Sequence, residues 1–355
     1  MKSALVALIL STLALRADAA DVIYAATSNG IFKSTDDGAH WVPSNNGLTG
    51  TLVFSLAVDP ANPAAVYAGT FHDRVFKTVD GGQLWAPAFV GFTDDTVLTL
   101  AIDPVDSSIV YAGTTNSMSA VGTAGFFPGR DVFKSVNRGS AWLASAAGLP
   151  SSVITSLAVA ASNPSVVYAG TSVAGVFTST DRGQTWTPAN AGLEKSDISD
   201  IAVDPVNPNV VYAALEGCSA GCSEPAGVFK TVDGGATWKS TSAGMVDDLQ
   251  VLALAIDRTD PRVLYAATRF DGIYKTTNAG AVWTQVNNAA TGTLFSIVHF
   301  ALVTDPGAPG TVFAGTFDGV LKSTDGGTHW TPANEGLPPS TKVFALAAHA
   351  QPSSR

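Results

Sequence analysis

Two groups of side chains in this 355-residue sequence could carry chemistry, and both lie between regular apolar segments. The first group consists of carboxylates, because glycoside hydrolysis uses two carboxyl groups whose separation decides the stereochemical outcome. Spacing along the chain does not fix that separation, so these residues are catalytic candidates and not an assigned pair. They are Asp94, Asp95, Asp197, Asp247 and Asp248.

The second group would bind a ligand. Guanidinium groups hold carboxylates through paired hydrogen bonds, and phenylalanine rings pack on the apolar faces of ligands. If the segments that carry them converge, these side chains predict recognition of a polar ligand; the alternative is ordinary charge on solvated loops. The candidate binding residues are Arg74, Arg130, Arg269, His72, Phe126, Phe127 and Phe270.

An eight-residue motif that occurs seven times indicates the elements that hold both groups. Each copy has Ser or Thr at its first position, Asp or Asn at its third, Gly at its fifth and Trp at its eighth. Successive tryptophans lie 44 to 57 residues apart (41 to 85 is 44, 85 to 142 is 57), which is the period of a four-stranded propeller blade. The third positions are Asp36, Asp80, Asn137, Asp181, Asp233, Asn278 and Asp325, and the tryptophans are Trp41, Trp85, Trp142, Trp186, Trp238, Trp283 and Trp330.

The motif has the chemistry of a structural turn. The side-chain oxygen of Asp or Asn accepts backbone N–H groups, and Gly takes up a positive φ angle that other residues avoid. The Trp begins the next strand and covers the turn, burying an aromatic surface of about 150 to 250 Å². We therefore interpret these positions as scaffold and not as catalytic carboxylates.

The segments around each motif repeat as well, and they predict four strands per blade. In the second repeat, strand A contains Leu56-Ala-Val, strand B contains Val-Tyr67-Ala, strand C contains Val-Phe76-Lys, and strand D starts at the Trp. The apolar runs of strands A and B are typical of sheets covered on both faces. Six of the seven tyrosines recur in strand B and are assigned to the scaffold, whereas Tyr274 falls in a strand C.

The two ends of the chain predict how the ring closes. Residues 22–27 form a strand B without its own strand A, and residues 343–348 form a strand A without a blade. We expect the C-terminal strand to complete the first blade, which would remove two exposed sheet edges. The predicted fold is all-β: a single seven-bladed propeller of four-stranded antiparallel blades over residues 20–355.

The position of the longest loops predicts which face carries a site. In a meander of four antiparallel strands, the A-to-B and C-to-D turns share one face, and the B-to-C and D-to-A connections share the other. The two long insertions, residues 114–131 and 215–227, both fall in B-to-C loops, so we expect the site on that face. There, Phe126 and Phe127 are either a contact anchor for a partner protein or rings folded back over the channel.

Composition excludes several classes of function. Lys and Arg number 19 against 29 Asp and Glu, a net charge of −10 that disfavours nucleic acid and anionic lipid as partners.

Lys2, the apolar residues 4–15 and Ala17-Asp-Ala19 predict a signal peptide over residues 1–19, with an uncleaved anchor as the alternative. The mature protein is then expected to be secreted or periplasmic, free of membrane insertion, and monomeric.

Export would expose the only two cysteines to oxidant. Cys218 and Cys222 are expected to form a small local disulfide. Zinc is the alternative, but it needs about four ligands and no histidine lies near this pair in sequence. No Asp-x-Asp-x-Asp-Gly calcium loop occurs, and the sequence predicts neither a metal nor a cofactor.

The seven motifs resemble the Asp-box (BNR) repeats of β-propellers, and the resemblance covers essentially all of residues 21–349. It implies the fold more than an activity, since that family includes sialidases, xyloglucanase-type glycosidases, sortilin-type receptors and photosystem assembly factors. Sialidases have six blades, an Arg-Ile-Pro segment and a Tyr nucleophile, whereas this chain has seven motifs, no such segment, and only Tyr274 outside strand B.

Two functions remain after this comparison. Xyloglucanase-type enzymes place one catalytic Asp on each side of a cleft between two propellers, and one propeller is predicted here. Single propellers similar to the photosystem assembly factors hold another protein without catalysis. The expected function is a non-catalytic platform that binds a protein or glycan on the B-to-C face, and a glycosidase that uses loop carboxylates is the alternative.

Overall fold

Each repeat forms four antiparallel strands, and seven such sheets stand in a ring, which confirms the predicted fold. The structure, a computed structural model, describes residues 21–49, 52–94, 96–115, 131–193, 197–217, 226–247, 249–286 and 299–349. Strand A of each blade contacts strand A of both neighbouring blades, so the seven A strands surround a central channel. Within the described residues, no helix has the length and apolar character needed to cross a membrane.

The strands of each blade are given in the order A, B, C, D. Blade 1 consists of β28 (Val343–His349), β1 (Val22–Thr27), β2 (Gly30–Ser34) and β3 (Val42–Pro43). Blade 2 consists of β4 (Val53–Val58), β5 (Val66–Thr70), β6 (Val75–Thr78) and β7 (Ala86–Pro87). Blade 3 consists of β8 (Thr96–Ile102), β9 (Val110–Thr115), β10 (Val132–Ser135) and β11 (Leu143–Ala144). Blade 4 consists of β12 (Ile154–Val159), β13 (Val167–Thr171), β14 (Val176–Ser179) and β15 (Thr187–Pro188).

The remaining three blades follow the same plan. Blade 5 consists of β16 (Ile198–Val203), β17 (Val211–Leu215), β18 (Gly227–Thr231) and β19 (Lys239–Ser240). Blade 6 consists of β20 (Val251–Ile256), β21 (Leu264–Thr268), β22 (Ile273–Thr276) and β23 (Thr284–Gln285). Blade 7 consists of β24 (His299–Thr304), β25 (Val312–Thr316), β26 (Gly319–Ser323) and β27 (Thr331–Pro332).

Strand A carries the same irregularity in every blade. In β4, for example, the pairing with β5 shifts register between Val53 and Ser55, so the residue between them is bulged. A bulge sets two residues opposite one and redirects the side chain of the extra residue. The bulged residues of the seven A strands are Phe54, Leu98, Thr155, Ser199, Leu252, Phe300 and Phe344.

The eight-residue motif forms a closed hydrogen-bonded turn between strands C and D. In blade 5, Thr231 Oγ1 donates to Asp233 Oδ1 (2.6 Å), Gly235 N donates to Thr231 Oγ1 (2.9 Å), and Thr237 N donates to Asp233 Oδ1 (2.9 Å). Gly235 has φ +93°, which leaves no room for an ordinary side chain. Blades 1 and 7 show the same three bonds.

Each tryptophan joins its blade to the preceding one. The indole Nε1 of Trp238 in blade 5 donates to the carbonyl oxygen of Ala189, which follows blade 4 (2.8 Å). All seven tryptophans make this bond, at 2.6 to 2.8 Å. Each tryptophan therefore links two adjacent blades by a hydrogen bond, in addition to packing over the turn of its own motif.

A lysine of strand C makes the corresponding link in the opposite direction. Lys230 of blade 5 donates to the carbonyl oxygen of Ala279 in the motif of blade 6 (2.9 Å) and stands 5.1 Å from the ring centroid of Tyr212. Six blades have this arrangement, with Phe313 replacing the tyrosine in blade 7. Blade 4 has Thr178 at the position of the lysine.

The prediction that the chain ends close the ring is confirmed. Strand β28 pairs antiparallel with β1, from Val22 opposite His349 to Thr27 opposite Val343. Beyond the strands, Ser28 N donates to the carbonyl oxygen of Lys342 (2.8 Å). The predicted signal peptide and both cysteines lie outside the described residues.

Asp21 seals the junction between blades 7 and 1. Its backbone N donates to Asp37 Oδ1 (2.6 Å), and its Oδ2 accepts from Gly307 N (3.1 Å). Burial, together with a hydrogen bond from Asp21, raises the pKa of Asp305 to about 7. Asp21 thus links the start of blade 1 to the A-to-B turn of blade 7.

Candidate functional site at the channel mouth

The central channel has a cavity at each end. On the face of the A-to-B turns, a cavity of about 420 Å³ is lined by the ends of the A strands and by turn residues such as Pro60, Pro104 and Pro205. At the opposite end, where the A strands begin, lies a cavity of about 270 Å³. We call this second cavity the channel mouth. It opens on the face of the B-to-C loops, where the sequence predicts a site.

Bulged residues of strand A line the channel mouth. Those of the six blades whose bulged side chains are described all contribute: Phe54, Leu98, Thr155, Ser199, Leu252 and Phe344. The bulge turns these side chains out of the regular strand pattern, and the ring arrangement brings them together. The chemical character of the mouth is therefore set by one position of the repeat.

One side of the mouth is aromatic. The rings of Phe54 and Phe344 meet edge to face with centroids 5.7 Å apart, and Phe71 of the adjoining B-to-C loop stands 5.9 Å from Phe54. These three rings, the aromatic arc, are all partly exposed, and His72 stacks on Phe71 at 3.8 Å. Partly exposed aromatic side chains in a concave site are typical of binding surfaces.

The opposite side of the mouth is polar and belongs to blades 4 and 5. We call Thr155, Ser156, Ser199 and Asp200 the polar arc. Ser199 Oγ donates to the carbonyl oxygen of Val251 in blade 6 (2.6 Å), and Ser156 Oγ donates to Asp200 Oδ1 (3.0 Å). Asp200 also accepts from the backbone N of Ile201 and of Leu254, both at 2.8 Å.

Asp200 is the one ionisable side chain among the described residues that line this mouth. Burial raises the pKa of Asp200 to about 6, and the hydrogen bonds from Leu254, Ser156 and Ile201 partly offset that rise. The Asp200 side chain is partly exposed at the wall of the mouth, so a ligand in the cavity can reach its carboxyl group.

Arg74 is not among the residues that line the mouth and lies between blades 2 and 3. Its Nε donates to the backbone oxygen of Asp94 (3.0 Å), and its guanidinium stands 5.4 Å from the ring centroid of Phe89. Arg74 has φ +65°, a left-handed conformation that Gly175 and Gly272 occupy in the same loop of blades 4 and 6. This strain shows that the loop of blade 2 holds Arg74 in place.

Asp94, whose backbone oxygen Arg74 contacts, is enclosed, whereas Asp131 nearby is partly exposed. Asp94 is 1% exposed and accepts a short hydrogen bond from the hydroxyl of Thr114. The same hydroxyl donates to the backbone oxygen of Asp131 (2.9 Å). Burial and the negative charge of Asp94 raise the pKa of the Asp131 carboxyl.

Arg269 belongs to a second, separate group in the loops of blades 5 and 6. Its guanidinium forms an ion pair with Glu216. Next to it, Phe270 is 63% exposed, and Asp271 accepts a short hydrogen bond from the hydroxyl of Tyr274. Burial and Asp271 raise the pKa of Tyr274, which opposes the nucleophile role considered for it.

The structure thus distributes the predicted site residues around the face. Arg74 and Arg269 lie on blades that are not neighbours, each with its own partners, while Asp94, Asp197 and Asp247 lie on three different D-to-A connections. The other predicted site residues, Asp95, Asp248, Arg130, Phe126 and Phe127, lie outside the described residues.

Reasoning from loops overlooked the residues that form the mouth. The sequence does hold a signal for them, because the residue at the bulge position of strand A is Phe, Leu, Thr, Ser, Leu, Phe and Phe from blade 2 through blade 7 to blade 1. This repeat position is apolar in most blades and polar in blades 4 and 5. Such a pattern indicates a channel opening with one apolar side and one polar side.

Comparison with known proteins supports the fold. The BNR/Asp-box repeat family matches residues 177–188. The GH74 xyloglucanase from Xanthomonas campestris has 21% identity and a TM-score of 0.62, with coverage of 80% of this chain and 45% of that chain. The GH74 enzyme of Niastella koreensis has 17% identity and a TM-score of 0.61, with coverage of 88% and 64%.

A third solved structure is YCF48 bound to D1 peptide, with 14% identity and a TM-score of 0.55. The alignment covers 79% of this chain and 81% of the YCF48 chain. No curated protein matches the chain. The chain thus carries an Asp-box repeat within a propeller fold, and it spans about half to two thirds of the two GH74 structures.

Proposed function

We propose that this protein is a non-catalytic binding platform that holds an extended segment of another protein over the channel mouth. The observation that carries the proposal is the mouth itself, where the aromatic arc faces the polar arc across a cavity of about 270 Å³. Pockets for drug-sized ligands measure roughly 300 to 1,000 Å³. The mouth therefore suits a single side chain of a partner protein better than several sugar rings of a polysaccharide.

The disposition of the carboxylates supports binding over hydrolysis. A glycosidase holds two carboxyl groups about 5 to 10 Å apart on either side of the bond that breaks. Asp94, Asp197 and Asp247 come from three separate connections, and Asp94 is enclosed. Alignment coverage also supports the binding proposal. This chain covers 81% of the YCF48 structure solved with a peptide but 45% of the xyloglucanase structure.

Glycoside hydrolysis is the second candidate, and one observation favours it. Asp94 and Asp131 lie close enough for their charges to interact, and the raised pKa of Asp131 suits a general acid. The enclosure of Asp94 weighs against access by a polysaccharide.

A selection experiment distinguishes the two functions. The mature protein is panned against a displayed library of random dodecapeptides and, in parallel, incubated with xyloglucan and aryl glycosides. We expect enriched peptides whose affinity falls at least tenfold in a Phe54→Ala, Phe344→Ala variant. The control is Leu143→Ala, whose side chain is 76% exposed on an outer strand and should leave affinity unchanged.

Two results would contradict the proposal. One is equal binding of the enriched peptides by the double variant, once its thermal unfolding shows that it is folded. The other is release of product from a glycan that disappears in Asp94→Asn and Asp131→Asn variants, which would establish the hydrolase.

A further inference from the structure

The carboxylate of Asp200 is not fully used by the protein. A carboxylate has about four sites that accept hydrogen bonds. Ser156 and Ile201 occupy Oδ1, and Leu254 N occupies one site of Oδ2. Counting donors from the described residues, one site on Oδ2 remains at the wall of the channel mouth.

The ring does not need a charge at this position. The residues that correspond to Asp200 in the other six blades are uncharged: Ser55, Thr99, Ser156, Ala253, Ala301 and Ala345. Six blades thus pack around the channel with a hydroxyl or a methyl group at this place. In those blades no charge is placed at this position of the channel wall, so its presence in blade 5 is specific to Asp200.

The charge of Asp200 also lacks a counter-ion. Among the described residues, no Lys, Arg or His nitrogen lies within ion-pair distance of it. The nearby walls are apolar, with Leu252 and Leu302 on one side and the aromatic arc on the other. In such surroundings the attraction between opposite charges is several times stronger than in water.

We propose that the channel mouth receives a cationic side chain, a lysine or an arginine of the bound segment, and pairs its charge with Asp200. This inference rests on the proposed function and names the chemistry of the partner. The aliphatic stem would lie against Phe54, Phe344 and Leu252, because long basic side chains bury their stems on apolar surface. Phenylalanine faces add a cation–π attraction for the charged end.

The test uses short capped peptides, so that the probe is defined. We would measure binding of acetyl-Ala-X-Ala-amide by NMR titration at pH 7.5, with X as lysine, arginine, norleucine or glutamate. Norleucine copies the apolar stem of lysine without its charge. We expect lysine or arginine to bind at least tenfold more tightly than norleucine, and glutamate to bind least.

Two variants assign that preference to Asp200. Asp200→Asn removes the charge and keeps the shape, and Asp200→Ala introduces the residue type found at Ala253, Ala301 and Ala345. Whichever variant remains folded by thermal unfolding should bind the lysine and norleucine peptides equally. Phe344→Ala should weaken both peptides to a similar extent.

The outcomes separate this inference from the proposed function. Equal binding of lysine and norleucine by the wild type, still dependent on Phe344, would overturn the cation inference and leave the platform intact. A preference for lysine that survives in the folded Asp200 variants would also overturn the inference. No binding of any peptide at millimolar concentration would contradict both proposals.

Discussion

At the scale of single residues, aspartates in this protein have opposite environments and opposite acidities. Asp233 of the motif accepts hydrogen bonds from Thr231 and Thr237, which lower its pKa to about 2. Asp200 lies partly exposed in the channel wall, where desolvation raises its pKa to about 6. The first kind of aspartate organises a turn at any physiological pH, while the second kind holds a charge that a ligand could neutralise.

The motif aspartates predict a loss of stability in acid. Their folded pKa of about 2 lies below the ordinary value of 3.8, so their contribution is complete above about pH 4 and is lost as the pH falls through 2. Thermal unfolding measured from pH 5 to pH 2 should show this loss. Blades 3 and 6 already use Asn137 and Asn278 in the same turn.

Those natural asparagines supply the control. A variant with Asn at the four strongly acidic positions should fold, keep the turn, and lose less stability between pH 4 and pH 2 than the wild type. An equal loss in both proteins would show that the acid sensitivity arises elsewhere. The substitutions are Asp36→Asn, Asp181→Asn, Asp233→Asn and Asp325→Asn.

At the scale of strands and blades, most of the structure follows from the repeat. Apolar runs, turn residues and the position of Trp predict the strand order, and they place the B-to-C loops on one face. They do not predict the bulge in strand A, because a register shift depends on how β4 fits against both β5 and the neighbouring blade. Because the side chains that line the channel mouth are exposed there by the bulge, the sequence did not predict the mouth. The predicted site consisted of loop residues such as Arg74 and Arg269.

The links between blades predict that one interface can be strengthened. Thr178 of blade 4 occupies the position at which the six other blades have a lysine over an aromatic ring. Thr178→Lys should place an ammonium group over Tyr168 and near the motif of blade 5, and raise the free energy of unfolding by roughly 0.5 to 1 kcal/mol. Urea denaturation measures the change.

A matched loss should accompany that gain. Lys230→Thr in blade 5 removes the bond to Ala279 and the contact with Tyr212, and should lower the free energy of unfolding by a similar amount. If both substitutions leave the free energy of unfolding unchanged, the lysine contacts between blades do not contribute to stability.

At the scale of the whole molecule, stability depends on closing the ring. Strand β28 contacts β1, β4 and β24, so it joins blade 1 to both neighbours. A chain without residues 341–355 would expose the edges of β1 and of two adjoining blades. We expect this truncated protein to aggregate or to unfold at a much lower temperature.

Size-exclusion chromatography and thermal unfolding measure that result. Addition of a synthetic peptide that contains residues 341–355 should restore part of the lost stability, because β28 pairs mainly through its backbone with β1. A truncated protein that stays monomeric and as stable as the full chain would show that closure is dispensable.

Blade 1 cannot form until β28 has been synthesised, because that strand is made long after the other three strands of the blade. During synthesis, six repeats can stack while the first waits with an open edge for more than 300 residues. Contacts between such distant segments form slowly. Closure of the ring is therefore expected to be the last and slowest step of folding.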